Sequence, residues 1–386
     1  MDDRDRGGDG ANGPAAAPRL PDFHFIFDSE LSMNELGEPG SSIEPDPYYM
    51  SDSASLSDSV QDFPEEFGRT YHAYRAGSYA FPNDAAEQER LALQGEAIKR
   101  LLGDRLFLAP FSASKPPRAI LDVATGVGDW AIQMGDMFGD SQIIATDLSP
   151  IQPEDVPPNV HFYVEDSTDP WFFPHRFDFI HTRATSGCWE SFETQIAQQA
   201  FDALEPGGWF ESQEVDVNIC CDDGTLNPNG PTATWVNDLI VASDRLERPA
   251  IWACYLKDMF ERVGFVDVQQ RVLRMPINGW ARDNRLKEIG WMWSTNLIEG
   301  LSGFSYQLLN RAFERTPTQI EVSLIDVRRD LADTRIHSYM PAFIVWGRKP
   351  YPDQVKGARQ SPKQPFVMVY WYIDVLFHLV TDSSTL

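Results

Sequence analysis

A chain of 386 residues can bury a full hydrophobic core as one large domain with insertions or as two ordinary ones, which excludes a peptide-sized or disulfide-stapled scaffold. Its 32 Lys and Arg face 58 Asp and Glu, a net charge of -26, with no block of basic residues. Direct nucleic-acid binding is therefore not expected, because it needs a basic face that displaces counterions from phosphates.

In chain order, residues 1 to 66 hold 16 acidic and 3 basic groups among many Gly, Ser, Pro and Asp. Such a stretch buries too little apolar surface to offset its ordering entropy and reads as a disordered acidic tail. The island Phe23-His24-Phe25-Ile26-Phe27 within it reads as an incidental apolar cluster or as a partner-binding peptide. The first residues are charged and lack an apolar signal core, so an intracellular protein, cytoplasmic or nuclear, is expected. Cys188, Cys220, Cys221 and Cys254 show no CxxC spacing and no histidines at metal-ligand distances, so reduced thiols and no metal site are expected.

From about residue 118 short apolar runs alternate with helix-like segments, the pattern of βαβ units on a parallel sheet. Strands are predicted at 119 to 124, 142 to 146, 160 to 164, 177 to 181, 208 to 213, 266 to 274 and 338 to 347. Helices are predicted at about 129 to 138, 190 to 204 and 253 to 263. The expected architecture is a Rossmann-like three-layer α/β sandwich over 67 to 350, with cap insertions at 215 to 250 and 276 to 336. Residues 351 to 386 read as a linker and an appended apolar segment, 366 to 380, of 15 residues. A membrane span needs about 20, so none is expected. A packed terminal strand, a membrane-surface segment and a misread gene end all fit that segment.

The first strand runs into Asp122-Val123-Ala124-Thr125-Gly126-Val127-Gly128-Asp129-Trp130, a small-residue turn that opens a helix. Its glycines let the backbone turn sharply and approach a ligand closely. Asp147 follows Gly128 by 19 residues, at the end of the second strand, where an acid accepts hydrogen bonds from ribose hydroxyls. The order strand, glycines, helix, strand, Asp points to a nucleoside cofactor. Asp122 and Asp129 would repel the pyrophosphate of a dinucleotide, which disfavours an NAD-dependent oxidoreductase, and they suit a cofactor with an amino group and no phosphates, S-adenosylmethionine.

The turn resembles motif I of the class I methyltransferases, with Ala124 where that motif has its first glycine. The segments YHAYRAGSYAFPND from Tyr71, DLSPIQP, VPPN, FDFIHTR, LEPGGWFE, CDDGTL and WGRKP extend the likeness to fungal methyltransferases similar to LaeA, over about residues 68 to 350. The resemblance implies a class I methyltransferase fold with a mostly parallel seven-stranded sheet and helical caps. It implies that Ala124, Gly126 and Gly128 contact the cofactor, that Asp166 meets the adenine amino group, and that Asp122 meets the methionine ammonium. Tyr79, with Tyr71 and Tyr74, would fold over the cofactor as an aromatic lid or pack against the core. His181 is the candidate general base, because imidazole titrates near neutral pH; Glu211, Glu214 and Asp216 offer a second source. Trp280, Trp291, Trp293 and Phe304 would wall an apolar acceptor pocket or pack an amphipathic helix. The expected activity is methyl transfer to a small-molecule acceptor at oxygen or nitrogen in fungal secondary metabolism. The alternative is a nuclear regulator acting with a velvet-type protein partner.

Overall fold

The computed structural model describes residues 58–112 and 114–355. Residues 1 to 57, with the apolar island, and 356 to 386, with the segment 366 to 380, lie outside the described residues.

The described chain opens with a short helix α1 (Asp58–Gln61) and a hairpin, β1 (Glu65–Glu66) with β2 (Arg69–Thr70). The boundary expected at 66 therefore falls inside ordered secondary structure. The cause is long-range: Glu66 accepts a hydrogen bond from Gln307 Nε2 at 2.7 Å and lies 3.5 Å from Arg311, partners that composition does not reveal. Helix α2 (Ala85–Leu101) follows, started by Asp84 accepting from Glu87 N–H and ended with Lys99 and Arg100 over its carbonyl dipoles.

The sheet is built from β3 (Ala119–Val123), β4 (Gln142–Asp147), β5 (Val160–Val164), β6 (Phe177–Arg183), β7 (Leu204–Val215), β9 (Val266–Pro276) and β10 (Ser338–Arg348), with β8 (Cys220–Cys221) as an eighth, two-residue strand. All seven predicted strands are present. β8 pairs Ser338 and Tyr339 of β10, on the edge that β7 occupies further along, so it continues the line of β7 after a short break. The order is β5-β4-β3-β6-β7-β10, with β9 outside β10. β3 to β7 run parallel, and β10 is antiparallel to both neighbours.

Successive strands step outward from β3 to β5, and β6 then returns to the other side of β3. That reversal opens a crevice at the carboxyl ends of β3 and β6, the place where open α/β sheets bind ligands. On one sheet face, helix α3 (Asp129–Met137) lays Trp130, Ala131 and Met134 on Ile120, Ile143 and Phe179. The other face carries a π-helical turn (Phe192–Ala197), helix α4 (Gln198–Ala203) and helix α6 (Leu256–Val263), where Phe210 stacks on Phe260 at 4.8 Å.

The two insertions supply α5 (Pro231–Arg245), α7 (Asn284–Phe313) and α8 (Pro317–Ala332). With α2 they form one apolar cluster over Met340, Ala342 and Ile344 of β10. Ile289 and Trp293 are buried in it, and Asn296, spaced for the same helical face, is buried where it accepts a hydrogen bond from Arg90 at 2.6 Å. A last short helix, α9 (Pro352–Val355), ends the described chain. No helix among the described residues is long and apolar enough to cross a membrane, and no group of three or more His, Cys, Asp or Glu among them could hold a metal.

Candidate functional site

The crevice widens into a cleft of about 1240 Å³, its open mouth included, lined by the 124 to 130 turn, the ends of β4 to β6, α2 and the segment from His72 to Asn83. Three residues of the turn adopt left-handed backbone, Ala124 at φ 57°, Gly126 at 61° and Gly128 at 79°. Gly128 is required twice over, because a Cβ there would also lie 2.5 Å from Phe162 Cζ. Ala124 carries a side chain in a conformation that glycine adopts freely, at a cost of about 1 kcal/mol or more.

Asp147 ends β4 beside this turn. Its Oδ2 accepts Gly126 N–H at 2.8 Å and its Oδ1 accepts Ser149 N–H at 3.0 Å, so each oxygen keeps lone-pair capacity toward the cleft. Desolvation pushes its carboxyl up to about 6, and the nearby negative charge of Asp122 adds to that. Asp166 follows β5; its Oδ1 accepts Thr168 N–H and Oγ1–H, which curls the loop and aims the carboxylate at the cleft wall.

Asp122 sits deeper, 3% exposed, with Oδ1 2.8 Å from His181 Nδ1 and Oδ2 accepting Thr125 Oγ1–H. The β3–β6 register places these two residues side by side. His181 is fully buried and stacks on Trp130, centroids 3.8 Å apart and planes 4° from parallel. Burial lowers its pKa against the pull of Asp122. The ring lines the cleft, covered on one face by Trp130 and tied through Nδ1 to Asp122, which it holds in place, while Nε2 has no partner among the described residues.

The segment from His72 to Asn83 crosses the cleft as a strap. It is pinned by Arg75 on Asp169 at 2.7 Å, by Asn83 Nδ2 on Ser149 Oγ at 3.3 Å and by Arg248 Nε on the Ser78 carbonyl at 3.2 Å. Tyr79 lines the cleft and meets Phe81 edge-on at 5.0 Å, whereas Tyr71 is buried in the core.

Residues 93–270 match the family model of a methyltransferase domain. The methyltransferase pytC of Aspergillus terreus is 37% identical over 83% of this chain and all of its own length. The secondary metabolism regulator LAE1 of Cochliobolus heterostrophus is 35% identical over 74% of this chain and 94% of its own. The protein-methionine methyltransferase laeA of Emericella nidulans is 29% identical over 78% of this chain and 80% of its own. The chain belongs to the LaeA-like family of fungal methyltransferases.

In this methyltransferase the three further carboxylates expected as alternative bases do not line the cleft. Glu211 accepts Leu108 N–H at 2.8 Å and Ala109 N–H at 2.7 Å, and burial pushes it up to about 7. Glu214 holds the loop after β6 through Thr185 N–H and Oγ1–H, also raised to about 7 by burial. Asp216 turns back on Asn218 and is raised to about 6 by burial. They anchor backbone. The tryptophans expected to wall an acceptor pocket are likewise elsewhere: Trp293 is core, Trp280 bonds the Ser338 carbonyl at 2.7 Å, and Trp291 is exposed. Only Phe304 approaches, packing edge-on to Phe81 at 5.5 Å.

Several cleft residues escaped the sequence reading. His72 is buried with Nε2 3.1 Å from the Arg75 carbonyl and Nδ1 without a partner among the described residues. Thr125 fixes Asp122, and Glu87 lines the cleft while paired with buried Arg90 at 2.6 Å. Nothing in their spacing marks them, since each gains its place from a chain crossing made elsewhere. Among the described residues the lining holds six carboxylates, Glu87, Asp122, Asp129, Asp147, Glu165 and Asp166, against the guanidiniums of Arg183 and Arg248.

Proposed function

We propose that this methyltransferase uses S-adenosylmethionine to methylate a small-molecule oxygen or nitrogen nucleophile of fungal secondary metabolism. The observation that carries the reading is Asp147, raised at the end of β4, bonded to the glycine turn through Gly126 and left with acceptor capacity toward the cleft. Asp147 would hold the ribose hydroxyls, Asp166 the adenine amino group, and the 124 to 128 backbone the methionine end. Asp122 would draw the ammonium from below the turn, held in place by His181 and Thr125. Bound there, the cofactor supplies a methyl group on a sulfonium already primed to leave.

The protein's contribution is placement: six carboxylates favour a cationic ligand, and the Tyr79 face suits a sulfonium. The strap and Phe81 exclude water and align the acceptor for in-line attack. Burial keeps the Tyr79 phenol and the Cys188 thiol protonated, so neither competes as a nucleophile. The test is calorimetric titration of the full chain with S-adenosylmethionine and S-adenosylhomocysteine, followed by screening hydroxylated aromatic and amine acceptors with labelled cofactor. Micromolar binding and a methylated product support the reading, and a folded protein that binds neither ligand overturns it.

The likeness to LAE1 and laeA, both named for regulation of secondary metabolism, favours a second reading: a regulator that works with a velvet-type partner. Copurification with such a protein, and loss of many metabolites on deletion, would select it over loss of a single methylated compound.

A further inference from the structure

We propose that Arg183 is the receptor for the carboxylate at the methionine end of the cofactor, and that Gly95 of α2 lacks a side chain so that Arg183 can stand there. The proposal rests on the cofactor reading above and adds a subsite to it.

The electrostatic problem comes first. Beside the glycine turn stand Asp122 and Asp129, and an amino-acid zwitterion carries a carboxylate as well as an ammonium. Two acids can receive the ammonium, but they repel the carboxylate unless a cation lies between them and it. Arg183 is that cation. It is the last residue of β6, one step beyond the register pairs Asp122–His181 and Val123–Thr182, which sets it beside Ala124, the first residue of the turn. Being two residues from His181, it projects from the same sheet face as Asp122.

The donor inventory then singles it out. Arg183 is 12% exposed and makes one hydrogen bond among the described residues, Nη2 to Asp129 Oδ1 at 2.8 Å, leaving four N–H groups of its fork for a ligand. The other guanidiniums around the cleft are committed. Arg248 is held by Glu190 and the Ser78 carbonyl, Arg75 by Asp169 and Asp166, and Arg90 by Glu87, Gln94 and Asn296. A planar fork anchored on one edge by Asp129 and free on the other is suited to a second carboxylate.

Gly95 supplies an independent observation. It lies inside α2 with ordinary helical backbone, where glycine weakens a helix and alanine would serve better. A Cβ at this position would lie 2.5 Å from Asp129 Oδ2 and 2.8 Å from Arg183 Nη2. The missing methyl therefore makes room for the Arg183–Asp129 pair at the cleft wall.

The test is a cycle of two ligands and two proteins, read by calorimetry on the full chain. S-Adenosylmethionine is compared with its decarboxylated form, which keeps the sulfonium and the amine, in the wild type and in Arg183→Met. The wild type is expected to prefer the carboxylate-bearing ligand by tenfold or more, about 1.4 kcal/mol. Arg183→Met is expected to erase that preference by weakening S-adenosylmethionine alone, with the decarboxylated ligand unchanged within about twofold. Arg183→Lys keeps the charge and should keep part of the preference, and Gly95→Ala should reduce it by displacing the guanidinium. Equal affinity of the wild type for both ligands, or equal loss of both in the Arg183 variants, overturns the subsite and leaves the cofactor reading standing. A folded wild type that binds neither ligand overturns both.

Discussion

Asp147 gives the site a pH signature in which stability and affinity move in opposite directions. Its carboxyl stands at about 6 instead of the ordinary 3.8, because ionisation at the cleft wall loses hydration that the backbone N–H groups of Ser149, Gly126 and Leu148 only partly replace. The folded state thus takes up this proton at higher pH than the unfolded chain does. Stability of the ligand-free protein is accordingly lower above pH 6, rises as pH falls through 6, and levels off near the unfolded value. Two pKa units correspond to about 3 kcal/mol at most. Glu211 and Glu214, at about 7, and Asp216, at about 6, act with the same sign. In the proposed role Asp147 accepts ribose hydroxyls in its ionised form, so cofactor affinity should be flat above pH 7 and fall about tenfold per unit below 6. Asp147→Asn removes the charge and should weaken S-adenosylhomocysteine by about 10- to 100-fold at pH 7.5, the size of a charged hydrogen-bond contribution of roughly 1.5–3 kcal/mol. Its affinity should also lose the pH dependence below 6. The assay is calorimetry from pH 5 to 8 beside thermal melts of the ligand-free protein. Wild-type affinity that stays constant down to pH 5, or an Asp147→Asn variant with an unchanged titration, would refute the assignment.

Three further outcomes follow from the turn and its support. Gly128→Ala combines the left-handed backbone cost, about 1–2 kcal/mol, with overpacking against Phe162, about 1–3 kcal/mol, and should destabilise by about 2–5 kcal/mol in urea unfolding. Adding Phe162→Leu should restore only the packing share, and full recovery would show that the φ of 79° costs nothing. Ala124→Gly should raise stability by up to about 1 kcal/mol by relieving the φ of 57°, with cofactor affinity kept within about threefold; a clear loss of stability contradicts the strain argument. His181→Phe retains the stack on Trp130 and deletes the bond to Asp122, leaving a buried carboxylate with Thr125 alone. A loss of about 3 kcal/mol is expected, with weaker cofactor binding; a loss under 1 kcal/mol would mean that the pair does not hold Asp122.

What was legible in the sequence is what depends on neighbours along the chain. Strand runs such as Ala119–Val123 and Val160–Val164 are read within a residue or two, because short β-rich runs leave a local trace whether the strand is buried throughout, as β3 is, or lies at the sheet edge, as β5 does. The glycine turn and Asp147 are legible because strand length and helix entry fix their spacing. Trp293 shows the limit of such reasoning: its place in the sequence fits both a pocket wall and a packed helix, and only the packing of α7 on α2 makes it core. Charge pairing left no such trace. Asp129 opens a helix, and its partner Arg183 is 54 residues away and meets it only because β6 lies beside β3. Arg90 and Asn296, 206 residues apart, meet beside the cleft in the same way. The turn, Asp147 and Asp122 are written in one contiguous βαβ unit. The rest of the cleft wall is assembled from the strap, α2 and the loop after β6, so its chemistry depends on contacts that no single segment encodes.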